Sequence, residues 1–117
     1  MNPEAQRIAI AEVCGWFDFR RDLTNPSLLL GTKSFGHIGC EEFEVPNYPA
    51  SLDAMHEAEN VLTPQQQADY YRELHAILHK GMMSLRHQQW LPVIRATAAQ
   101  RAEAFLRTIG KWKDDSL

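Results

Sequence analysis

His75 and His79 stand four residues apart in a stretch with helical spacing of apolar residues. Imidazoles at that interval lie on one side of a helix and can hold a divalent metal once a third ligand arrives from elsewhere. Glu57, Glu59, His56 or Cys40 would be that ligand. The plainer reading is two histidines flanking an apolar stripe on a solvated edge, and it is preferred. His37 and Cys40 are three apart in a glycine-bracketed segment, the raw material of a thiol nucleophile or a zinc site. Glu41, Glu42 and Glu44 follow directly, and their charge disfavours a thiolate, so Cys40 reads as a half-buried structural cysteine.

Two surface constellations remain. Residues 72–87 are the most basic window, with Arg72, His75, His79, Lys80 and Arg86, and with Tyr71 and Trp90 as stacking surfaces. Positive charge beside aromatic rings suits a small nucleotide-derived ligand, the ring holding the base and arginine the phosphate. The opposite character is found in "CEEFEV", where Glu41, Glu42 and Glu44 offer an acidic surface to a basic protein. Trp16, Phe17 and Phe19 would mark a contact patch if exposed together, although aromatic residues so spaced more often serve a core. Gly31, Gly36 and Gly39 match neither the Walker loop nor the dinucleotide fingerprint, so no cofactor is expected.

The elements that carry these residues are punctuated clearly. Asn2-Pro3 starts a helix over 3–14, and Gly15 ends it. Residues 16–45 read as two or three short strands, with a turn at "TNPS" and a buried run "LLL" closed by Gly31. "VPNYP" is an extended connector. Ser51 caps a helix over 51–62 with Leu52, Met55, Glu59 and Leu62 on one stripe, Glu59 lying at its edge or paired. Thr63-Pro64-Gln65-Gln66 opens a third helix to about 79, with Tyr71, Leu74 and Leu78 inward. Met83, Leu85, Val93 and Ile94 suggest a strand pair interrupted by Pro92. The last helix has a capping box from Thr97 to Gln100, buries Ala98, Ala102, Phe105, Leu106 and Ile109, turns Arg101, Glu103 and Arg107 outward, and ends at Gly110.

At 117 residues the chain is read as a single domain over 1–117. A net charge of −3 gives no long-range attraction to bulk nucleic acid or anionic lipid. No apolar run approaches the roughly 18 residues of a membrane span. Cys14 and Cys40 make no disulfide framework, which fits a reducing cytosol.

The segments "AIAEVCGW" (9–16), "PNY" (46–48), "LDAMHEAE" (52–59) and "ATAAQRAEAFLRTIGKW" (96–112), in this order, resemble the phage ABA sandwich domain family. Similar sequences carry asparagine where this chain has Asp53, and the stretches 17–45 and 63–94 match poorly. The resemblance implies a sheet between helical layers and a phage-encoded protein acting in the host bacterial cytoplasm. It brings no catalytic residues. The expected architecture is α+β, a small, mostly antiparallel sheet packed with about four helices. The expected function is non-enzymatic: an accessory protein of counter-defence that neutralises a host component. It would do so by sequestering a nucleotide-derived signal or by blocking a host effector protein. A small metal-dependent hydrolase on His75 and His79, or a phage structural or regulatory protein that forms homo-oligomers, are the alternatives.

Overall fold

Asn2 behaves as its position predicts: its side-chain oxygen accepts a hydrogen bond from the Ala5 amide at 2.8 Å and opens helix α1, Pro3–Val13. The computed structural model describes residues 1–78 and 95–114. Gly15, at φ +96, turns the chain out of α1 and into strand β1, Trp16–Arg21. Strands β2, Leu29–Ser34, and β3, Cys40–Glu44, follow, with single-turn 3-10 helices at Gly36–Ile38 and Tyr48–Ala50. Helices α2, Leu52–Glu59, α3, Pro64–Leu78, and α4, Ala98–Thr108, complete the described elements. The fold is α+β. Among the described residues it has four α-helices and one three-stranded antiparallel sheet in the order β1-β2-β3.

The β1–β2 register contains an irregularity that shapes the interior. Phe17 pairs with Thr32 and Arg20 with Leu30, so two residues of β1, Asp18 and Phe19, face the single Gly31. Asp18 takes the left-handed conformation (φ 53) that short polar residues tolerate. The extra residue brings Trp16 and Phe19, three apart, against the same face. Both rings close on Gly31: a Cβ there would stand 2.9 Å from Val45 Cγ2, 3.1 Å from Trp16 and 3.2 Å from Phe19. Gly31 therefore does not end the "LLL" run. It lies mid-strand, where only an absent side chain leaves room for three neighbours.

Helix α4 packs on α1, α2, α3 and the Tyr48 turn, and its Ala102, Phe105 and Leu106 are wholly buried with Ile10, Met55 and Leu74. Removing Phe105 and Leu106 from water stabilises by about 2 kcal/mol each. Its capping box is present: Gln100 N–H donates to Thr97 Oγ1 (3.2 Å), and Thr97 N–H donates to Gln100 Oε1 (2.9 Å). The same reciprocal pair links Thr63 and Gln66 at α3.

Several expectations need correction. α2 ends at Glu59, and Leu52 is 45% exposed because it occupies the first turn, outside the contact with the Tyr48 turn. On α3 the inward aromatic is Tyr70, not Tyr71, because the buried stripe runs through Leu74 four residues on. The connector "VPNYP" closes into a 3-10 turn at Tyr48. Arg101 is not an outward residue: its side chain is only 11% exposed. Ile109 is only partly buried. The strand pair expected at 83–94 lies outside the described residues.

Candidate functional site

The residues singled out as an aromatic contact patch are separated by the bulge. Trp16 is core, Phe19 is partly buried against it, and only Phe17 faces outward, 39% exposed. The exposed aromatics lie elsewhere, at the β2–β3 hairpin. Phe35 and Phe43 stack edge to face with centroids 5.8 Å apart, and Ile38 on the connecting turn is 78% exposed. Rings so arranged gain little from each other beyond an edge contact, and they leave apolar area in water.

Every residue of β3 is exposed, and among the described residues nothing pairs with its outer edge. Val45 N–H donates to Leu29 C=O at 2.9 Å and Phe35 N–H to Gly39 C=O at 2.8 Å. Antiparallel alternation then directs the backbone of Glu41 and Phe43 toward β2 and that of Cys40, Glu42 and Glu44 outward. Cys40 is consequently exposed on an edge, not half-buried. Of the acidic side chains, Glu42 forms a two-point pair with Arg20 (2.5 and 2.8 Å), which holds its carboxyl below the usual range. Glu44 meets Arg7 at 3.7 Å. Glu41 sits opposite Lys33 in register. Glu42 and Glu44 are thus matched, by Arg20 of β1 and Arg7 of α1, whereas Glu41 makes no ion pair among the described residues.

The basic window is described only in part. Tyr71 is 54% exposed and Arg72 pairs with Asp69 at 3.2 Å along the same helix. His75 is half-buried on α3. His79, Lys80, Arg86 and Trp90 lie outside the described residues. Among the described residues no three histidine, cysteine, aspartate or glutamate side chains converge as metal ligands.

Two polar clusters that sequence reasoning missed occur around the end of α2. In the first, Glu59 Oε1 accepts from Tyr70 Oη (3.0 Å) and from Arg101 Nη1 (3.3 Å), so that α2, α3 and α4 meet at one carboxylate oxygen. Burial, with the Glu59 charge beside it, pushes the Tyr70 phenol well above its ordinary range. A half-enclosed cavity of about 190 Å³ opens beside this junction, lined by Glu59, Asn60, Gln67, Tyr70 and Tyr71.

In the second cluster, the Cys14 thiol and the Tyr48 hydroxyl are neighbours under α2. Burial is the main cause of the upward shift of both groups, so it favours the neutral thiol at Cys14. The Trp16 indole N–H is buried beside the Tyr48 hydroxyl. A cavity of about 260 Å³ adjoins, lined by Cys14, Lys33, Tyr48, Glu57, Ala58 and Asn60. The segments 9–16 and 46–59 supply most of this lining. The Glu59–Arg101 junction ties 46–59 to 96–112.

Comparison with known proteins adds no relative to this geometry. No family model, no curated protein and no solved structure matches the chain. No described helix is long and apolar enough to cross a membrane.

Proposed function

We propose that this chain is a phage-encoded accessory protein that acts by recognition, blocking a host effector protein through the β2–β3 hairpin. One observation carries the reading. Phe35, Ile38 and Phe43 hold apolar area in water beside a strand edge whose Cys40, Glu42 and Glu44 backbone groups point outward and pair with no strand among the described residues. Strand addition supplies backbone hydrogen bonds for affinity, and the flanking aromatics supply pockets for alternate side chains. The occupant is a strand of the effector that carries lysine or arginine. Three glutamates within five residues of β3 favour such a strand. A second copy of β3 laid antiparallel on the first would bring glutamates face to face. The phage origin rests on the family resemblance, and counter-defence is the role that origin suggests.

Two variants test the reading: Phe43→Ser, and charge reversal at Glu41 and Glu44. Each keeps the fold and loses both phage protection and capture of one dominant host protein from a bacterial lysate. Full protection by a folded Phe43→Ser variant would overturn the proposal. Discrete oligomers in light scattering, abolished by the same substitution, would assign the surface to self-association instead. The nucleotide-sequestration reading draws less support, because Arg72 is already paired and the cavity beside Tyr71 is lined by a carboxylate.

A further inference from the structure

We propose that the cavity between the end of α1, β2, the Tyr48 turn and α2 binds a small zwitterion, an α-amino acid being the simplest case. Lys33 would receive its carboxylate, and Glu57 with Asn60 its ammonium. The proposal is independent of the hairpin reading, since the cavity shares no residue with Phe35, Ile38 or Phe43.

Three observations support it. First, the lining carries one cation and one anion that do not neutralise each other. Lys33 makes no ion pair among the described residues, its Nζ standing 5.4 Å from the Trp16 ring centroid, and Glu57 makes none either. Close partners hold other charges of this surface, as at Arg20–Glu42, Arg21–Glu4 and Arg107–Glu103. Opposite charges kept apart across one concavity match a ligand with both charges and disfavour an ion with one.

Second, the cavity floor is built and not incidental. Tyr48 is 4% exposed and presents its hydroxyl between Cys14 and the Trp16 indole. Third, the size fits. About 260 Å³ is below the roughly 300–1,000 Å³ of pockets that hold drug-sized ligands, which suits a metabolite of amino-acid dimensions. Asn60, as the C-cap of α2, supplies an amide oxygen where the helix end also favours positive charge.

The experiment follows the Trp16 indole N–H resonance of the full chain during titration with the common L-amino acids. Acetate and methylammonium serve as single-charge controls. At least one amino acid is expected to shift that resonance saturably, with neither control reproducing the effect at equal concentration. Lys33→Met and Glu57→Gln should each weaken the response about tenfold, while Lys33→Arg retains it; thermal unfolding confirms that all three are folded. The proposal is overturned if no amino acid shifts the resonance at millimolar concentration, if acetate or methylammonium alone reproduces the shift, or if both charge-removing variants respond like the wild type.

Discussion

The helical side of this molecule and the hairpin end of its sheet are built on opposite terms. Around α4, apolar side chains are spent on one another: Phe105, Leu106, Leu74 and Ile10 are fully buried, and the one charged pair that enters is held by a phenol. At the hairpin, Phe35, Ile38 and Phe43 remain in water, and charges are matched in exposed pairs across the sheet. Exposed pairs are worth little, about 0–1 kcal/mol. Stability therefore resides in the helices, and the hairpin is free to vary in sequence without loss of the fold. The difference separates scaffold from recognition surface within one small chain.

Substitutions sharpen that contrast in order of effect. Phe105→Ala leaves a cavity at the centre of the helical layer and should cost about 4 kcal/mol in urea denaturation. A loss below about 1 kcal/mol would place the core elsewhere. Glu59→Ala removes the carboxylate that Tyr70 and Arg101 share, with the Arg101 side chain 11% exposed, and should cost about 2–3 kcal/mol; the double variant Glu59→Leu with Arg101→Met should recover most of it. Gly31→Ala drives a methyl into Val45, Trp16 and Phe19 and should cost about 1–2 kcal/mol, with altered near-ultraviolet dichroism from Trp16.

The smallest effect concerns the two thiols. Burial raises the Cys14 pKa above the ordinary 9.0, whereas Cys40 is exposed on its edge strand, so iodoacetamide at pH 8 should alkylate Cys40 first, as read by peptide mass. The sign for stability follows. Unfolded chains ionise Cys14 before folded ones do, so the folded state loses stability as pH rises past the unfolded thiol value and not below it. Equal alkylation rates would show that α2 does not cover Cys14 in solution.

The sequence was most legible where a few adjacent residues decide the local structure. Asn2-Pro3, Thr63 to Gln66 and Thr97 to Gln100 announce helix starts because the cap is made within one turn. It was least legible where a distant partner decides. Tyr70 and Tyr71 differ by one helical step, and either could face the core by spacing alone. Only Glu59 on α2 and Arg101 on α4 fix Tyr70 as the inward one. Arg101 looked like surface because its partner is 42 residues away in the chain. Of the candidate sites, the acidic stretch was visible as composition, but its matching by Arg7 and Arg20 was not. The cavity at Cys14, Lys33 and Glu57 assembles three segments that no local spacing connects.

The extra residue at Asp18 has a consequence for how this protein tolerates change in length. Deleting that one position would put β1 back into strict alternation with β2, leaving Phe19 two places after Trp16, opposite Gly31 and still on the inner face, with Arg20 outward as before. A deletion there removes a kink and keeps the phase, so a homologue one residue shorter in this strand would present the same two rings to the interior from a straighter strand.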